Sequence, residues 1–88
     1  MVNEKSVDMG MRDLFVDIFI RENKMRVVAE LPGVNEDDIA LDLYADTLSI
    51  SALGRKVSYY KDVELPRICK SIIGKICNNG ILEITLLA

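Results

Sequence analysis

Asn78-Asn79-Gly80-Ile81-Leu82-Glu83-Ile84-Thr85-Leu86 is the stretch that decides the fold: a tight turn running straight into an alternating strand. An Asn-Gly step readily supplies the positive φ angles of a hairpin turn, because glycine has no Cβ and asparagine tolerates the left-handed region. Beyond it, Leu82, Ile84 and Leu86 fall on one face at period two, with Glu83 and Thr85 on the other. A strand with one apolar face needs a sheet, and a one-residue slip would send all three apolar side chains to the wrong side.

The earlier segments supply candidates for that sheet. Leu14 to Ile20 is rich in β-branched and aromatic residues, Glu22-Asn23 reads as a turn, and Met25 to Leu31 runs back as the second arm of a hairpin. Leu31-Pro32-Gly33-Val34 ends that arm, since proline removes a ladder donor and glycine permits the turn. Asn35-Glu36-Asp37-Asp38-Ile39 reads as one helical turn, with Asn35 as the cap and three carboxylates near its positive end. Those carboxylates fit a helix start better than acid/base or metal chemistry. Leu41 and Leu43 then alternate with Asp42 and Tyr44, and Asp46-Thr47 turns the chain into Leu48-Ser49-Ile50-Ser51. Gly54 breaks the pattern before Val57 to Leu65 returns as a long strand ending at Pro66. From Arg67 to Cys77 the isoleucines satisfy helical and strand spacing about equally. Their β-branching and the hairpin turn that follows favour strand from Ile72. The expectation is an all-β, antiparallel β-sandwich of seven or eight strands with one short helical turn.

Composition narrows the function classes. A chain of 88 residues is one domain, able to bury roughly 60% of its unfolded surface. Half of it is hydrophobic and 28% charged, a globular balance that leaves spare apolar surface. A net charge of −3 disfavours a general binder of nucleic acid or anionic membrane. Arg55-Lys56 beside Tyr59-Tyr60 is the sole basic and aromatic juxtaposition and reads as a solvated hairpin tip. Residues 1–13 are expected to form a short flexible segment before a domain spanning 14–88. They resemble neither a signal nor a transit peptide, and no apolar run approaches the ~20 residues that cross a bilayer, so a cytoplasmic location is expected.

Catalysis finds no foothold. With no histidine there is no Ser-His or Cys-His arrangement and no imidazole metal site. Cys69 and Cys77 lack paired metal spacing and read as reduced, partly buried residues; no phosphate-binding glycine motif is present. No enzyme activity and no cofactor or metal are expected.

Four pieces, taken together, carry a resemblance: Leu31-Pro32-Gly33-Val34 with Asn35 to Ile39, Asp46 to Ser51, Tyr59 to Pro66, and Asn79-Gly80-Ile81-Leu82. Their order and most of their spacing closely resemble the α-crystallin domain of small heat-shock proteins, over about Phe15 to Leu87. That family's A-x-x-x-N-G-V-L pattern is met here by Lys75-Ile76-Cys77-Asn78-Asn79-Gly80-Ile81-Leu82, with lysine in place of the alanine.

The resemblance implies an immunoglobulin-like sandwich acting as an ATP-independent holdase for non-native client proteins. It also implies a groove in which an Ile-x-Ile segment of a neighbouring subunit docks, flanked here by Leu41 and Leu43 on one side and Ile72 and Gly74 on the other. All four would otherwise simply belong to the core. The link between Ile50 and Tyr59 is much shorter than in relatives that exchange a strand, which leaves the edge strand carrying Val57, Tyr59, Lys61 and Val63 as the candidate dimer contact. Lys61 stands where many relatives place an arginine, and it keeps the charge without the bidentate fork. With no Ile-x-Ile tail and little N-terminal arm in the sequence, self-association is expected to stop at a dimer. The alternative is a CS-domain-like cochaperone that binds a folded chaperone partner.

Overall fold

A computed structural model describes residues 11, 12 and 14–88. Its elements are β1 (Met11–Arg12), β2 (Phe15–Arg21), β3 (Lys24–Glu30), a 3-10 turn η1 (Glu36–Asp38), β4 (Ile39–Tyr44), β5 (Thr47–Leu53), β6 (Ser58–Glu64), β7 (Ser71–Asn78) and β8 (Ile81–Leu87). They form two four-stranded sheets, in the orders β1-β6-β5-β4 and β2-β3-β8-β7. All pairings are antiparallel except the short parallel contact of β1 with β6. This is the expected immunoglobulin-like sandwich. Apart from β1, the expected flexible segment at 1–13 lies outside the described residues.

The turn and strand at the end of the chain sit at the centre of their sheet, since β8 is hydrogen-bonded to β3 on one side and β7 on the other. Leu82, Ile84 and Leu86 are fully buried against Met25, Val27 and Ala29 of β3 and against Leu48 and Ile50 of β5 in a single core. The turn has the left-handed backbone that its residues suggest, with φ of 52° at Asn79 and 78° at Gly80. Gly80 is needed for a second reason: a Cβ there would come within 3.0 Å of Pro32 Cα. That close approach lets the Gly80 carbonyl accept the Leu31 N–H at 2.6 Å, while the Tyr59 hydroxyl donates to the Pro32 carbonyl at 2.6 Å. The Leu-Pro-Gly, Tyr-Tyr and Asn-Gly pieces, far apart in sequence, therefore meet at one end of the sandwich.

Two local expectations are refined. The helical turn is a single 3-10 turn, closed by the Asp38 N–H on the Asn35 carbonyl (2.9 Å) and by the Asn35 N–H on the Asp38 carboxylate (3.1 Å). With so few aligned peptides its dipole is small, and Asp38 acts by a direct hydrogen bond. The ambiguous segment from Arg67 to Cys77 resolves into an irregular connection and β7, whose register shifts between Ile72 and Gly74. That bulge mixes the periodicity: Ile72 is half-buried, whereas Ile73 and Ile76 are 49% and 58% exposed.

Candidate peptide-binding edge

β4 and β7 end their respective sheets, and they lie on the same side of the sandwich because η1, which leads into β4, packs against β7. The two strands are pinned at both ends of the gap between them. The Cys77 N–H donates to Glu36 Oε1 at 3.2 Å just before β4 begins, and the Cys69 N–H donates to the Ala45 carbonyl at 3.3 Å just after β4 ends. The strands consequently run in opposite directions across the gap, with each outer backbone edge facing no neighbouring strand among the described residues.

Register decides what lines that gap, because directly opposed residues of antiparallel strands point to the same face. Leu41 and Leu43 oppose Ile50 and Leu48, both fully buried, so they point inward from β4; each is half-buried and packs on the core. On β7, Ile72 opposes Leu86 and also points inward. Gly74 does not share that face: it opposes Thr85, and a Cβ built on it would lie 3.6 Å from the Thr85 side chain on the outer surface. The bulge consumes a residue, so the inward positions after Ile72 are Lys75, opposite Ile84, and Cys77, opposite Leu82. Leu41, Leu43 and Ile72 thus face inward from the two edge strands, and Gly74 faces outward. A glycine inside a strand pattern is itself a bulge signal, and that signal would have found the shift.

The other predicted contact strand is placed differently. Val57 precedes β6 and is half-buried, packed on the core. Tyr59 and Val63 are each 5% exposed and oppose Ala52 and Leu48, while Lys61, half-buried, opposes Ile50 on the same inward face. These side chains serve the interior; only the backbone edge of β6 is turned outward, and β1 covers its first two positions.

Titratable groups do not converge on either edge. Asp62 is held below the usual carboxylate range by hydrogen bonds from the Ser49 hydroxyl (2.6 Å) and the Tyr60 hydroxyl (2.8 Å), and Tyr60 is raised by the same carboxylate. This trio lies on the outer surface of the β1-β6-β5-β4 sheet. Burial pushes the Cys69 thiol up, against a smaller opposing effect of Arg67. Both cysteines are free. Among the described residues no group of three His, Cys, Asp or Glu is placed to hold a metal ion, and no helix is long and apolar enough to cross a membrane. A concavity of about 630 Å³ lies under the β2–β3 turn, lined by Phe19, Arg21, Lys24, Arg26 and Thr85 among others. It is not the gap between β4 and β7.

Solved structures resemble this arrangement over most of its length. Heat shock protein 16.0 from Schizosaccharomyces pombe superposes with a TM-score of 0.75 at 20% identity, covering 89% of this chain and 68% of that one. The chain carries the α-crystallin-domain fold of the small heat-shock proteins. A variant of hsp14.1 from Sulfolobus matches this α-crystallin-type domain at 26% identity and a TM-score of 0.72, covering 84% of this chain and 74% of that one. For hspA from Xanthomonas axonopodis the values are 23% and 0.73, with 86% and 93% covered. No protein-family model matches the sequence, and a comparison with curated proteins finds no match. The structural likeness supports a chaperone role for the α-crystallin-type domain.

Proposed function

We propose that this domain is an ATP-independent holdase: it binds extended, apolar segments of partly unfolded proteins, keeps them from aggregating, and uses the same kind of contact for subunit assembly. The observation that carries this reading is the gap between β4 and β7, where two strand edges, unpaired among the described residues, flank the half-buried Leu41, Leu43 and Ile72. An open edge pairs readily with an extended chain, whose alternate side chains then enter apolar positions. Exposed Phe15, Leu53, Ile68 and Ile76 add apolar surface that a non-native chain can cover. Holding needs no bond-making chemistry; mass action on the non-native state suffices. The domain works in the cytoplasm, needs no cofactor, nucleic acid or membrane, and associates at most into dimers through the backbone edge of β6.

The test is a heated client protein without nucleotide. At several-fold molar excess the domain is expected to suppress light scattering, and a labelled Ile-x-Ile peptide is expected to bind weakly in wild type and not in Leu43→Asp. Absence of suppression at that excess overturns the holdase reading. Capture of one stoichiometric folded partner, with no client protection, would establish a cochaperone adaptor in its place.

A further inference from the structure

The register shift in β7 places a cation inside the proposed groove. Opposite Ile84, Lys75 occupies a position that by register faces the core, yet the residue is exposed. A side chain that starts inward from a terminal strand reaches solvent only through the gap beside it, its methylenes lying on apolar neighbours and its ammonium at the mouth. The pinning contacts at Glu36–Cys77 and Ala45–Cys69 set the level: with β4 and β7 antiparallel across the gap, Ile72 falls beside Leu41 and Leu43, and Lys75 falls beside the start of β4 at Ile39. Among the described residues no carboxylate forms an ion pair with Lys75, and Glu36 of η1 is already bonded to the Cys77 amide.

The inner wall of the gap therefore reads, at strand spacing, apolar (Ile72), cationic (Lys75) and then thiol (Cys77), rather than apolar throughout. An Ile-x-Ile segment seated there sets one isoleucine between Ile72 and Leu41 and its other against the lysine stem and ammonium. The first site suits it. The second displaces the stem or leaves a charge facing a methyl group. An acidic side chain at that second position meets the ammonium instead, while the preceding apolar residue keeps its site.

We propose that Lys75 sets the specificity of this groove, so that it favours an extended client segment with an apolar residue and a carboxylate two positions apart over one with two apolar residues. This rests on the groove reading of the previous section. Because the ammonium is at the mouth and solvated, the preference is modest, about three- to fivefold at low ionic strength, and it is screened by salt.

Fluorescence anisotropy with labelled decapeptides that differ only in Ile-Ser-Ile, Ile-Ser-Glu or Glu-Ser-Ile tests it on the intact chain. Expected are tighter binding of at least one acidic peptide by wild type, loss of that advantage near 0.5 M salt, reversal in favour of Ile-Ser-Ile in Lys75→Ala, and retention in Lys75→Arg. Lys75 is exposed, so neither variant should disturb folding, which unchanged urea midpoints verify. Equal binding of all three peptides by wild type and Lys75→Ala overturns the lysine inference and leaves the groove standing. Binding of none overturns both.

Discussion

The two long sides of the sandwich are built from the same material and finished in opposite ways. On one side the chain crosses from β1 to β2 through Leu14, β1 covers the start of β6, and Leu14, Tyr59 and Val63 are buried, with Val16 and Ile18 packed behind them. On the other side the links through η1 and through Cys69 close only the ends, and no strand covers either edge among the described residues. β4 and β7 stand apart, tied by one hydrogen bond at each end, and Leu41, Leu43 and Ile72 are only half-buried. The difference teaches that stability and binding capacity are assigned to different edges. The closed side carries core residues whose loss unfolds the domain; the open side carries apolar surface whose value is realised when something else covers it.

The largest expected effect breaks the comparison if it fails. Val63→Asp puts a carboxylate opposite fully buried Leu48 and should cost about 3–5 kcal/mol, a large part of the roughly 5–10 kcal/mol that a domain of this size possesses. Leu43→Asp opposes the same Leu48 from the other neighbouring strand, yet its side chain can turn out through the gap, and the cost should stay near 1 kcal/mol. Urea unfolding of the two variants measures this directly. Equal losses would mean that the open side is as much part of the core as the closed one.

A smaller effect sharpens the closed side. Tyr59→Phe keeps the ring and removes only the 2.6 Å hydrogen bond to the Pro32 carbonyl, the contact that ties β6 to the Leu-Pro-Gly turn. A loss of about 1 kcal/mol is expected, the usual net worth of one partly buried hydrogen bond. Peptide affinity at the opposite edge should be unchanged. A shift in both quantities would show that the two sides are coupled through the sheets.

Much of the closed side was legible in the chain, and much of the open side was not. Asn79-Gly80, Leu31-Pro32-Gly33 and the alternation of Leu82, Ile84 and Leu86 are local signals, readable because φ preference and period two act on neighbouring residues. Leu41 and Leu43 followed from the same alternation. Gly74 did not, because the bulge at Ile73 is a property of the β7–β8 pair, and one inserted residue exchanges the faces of everything after it. Lys75 was visible as a departure from the family pattern, but its inward position was hidden by the same shift. The Glu36 contact with the Cys77 amide joins residues 41 positions apart and has no periodic trace. β1 spans two residues, too few for any pattern to register.

The smallest effect concerns the outer surface beside the closed side, where Asp62 is held by Ser49 and Tyr60. The folded carboxyl lies below its ordinary 3.8, so the native state favours the ionised form more than the unfolded chain does. The stabilisation is therefore complete above the ordinary value and fades as pH falls through the lower folded one. Ser49→Ala removes the larger cause and Tyr60→Phe the next, so each should move the Asp62 carboxyl carbon titration upward toward 3.8 and make the acid-side loss of stability smaller. Tyr60 behaves oppositely: its raised value favours the neutral phenol, so its contribution holds below its ordinary 10.0 and is lost as pH rises beyond it. Because these groups are exposed, neither substitution should change peptide binding or stability near neutral pH by more than surface contacts usually do. A neutral-pH loss as large as that of Tyr59→Phe would mean that the surface trio, and not only the buried side of β6, helps to hold that edge shut.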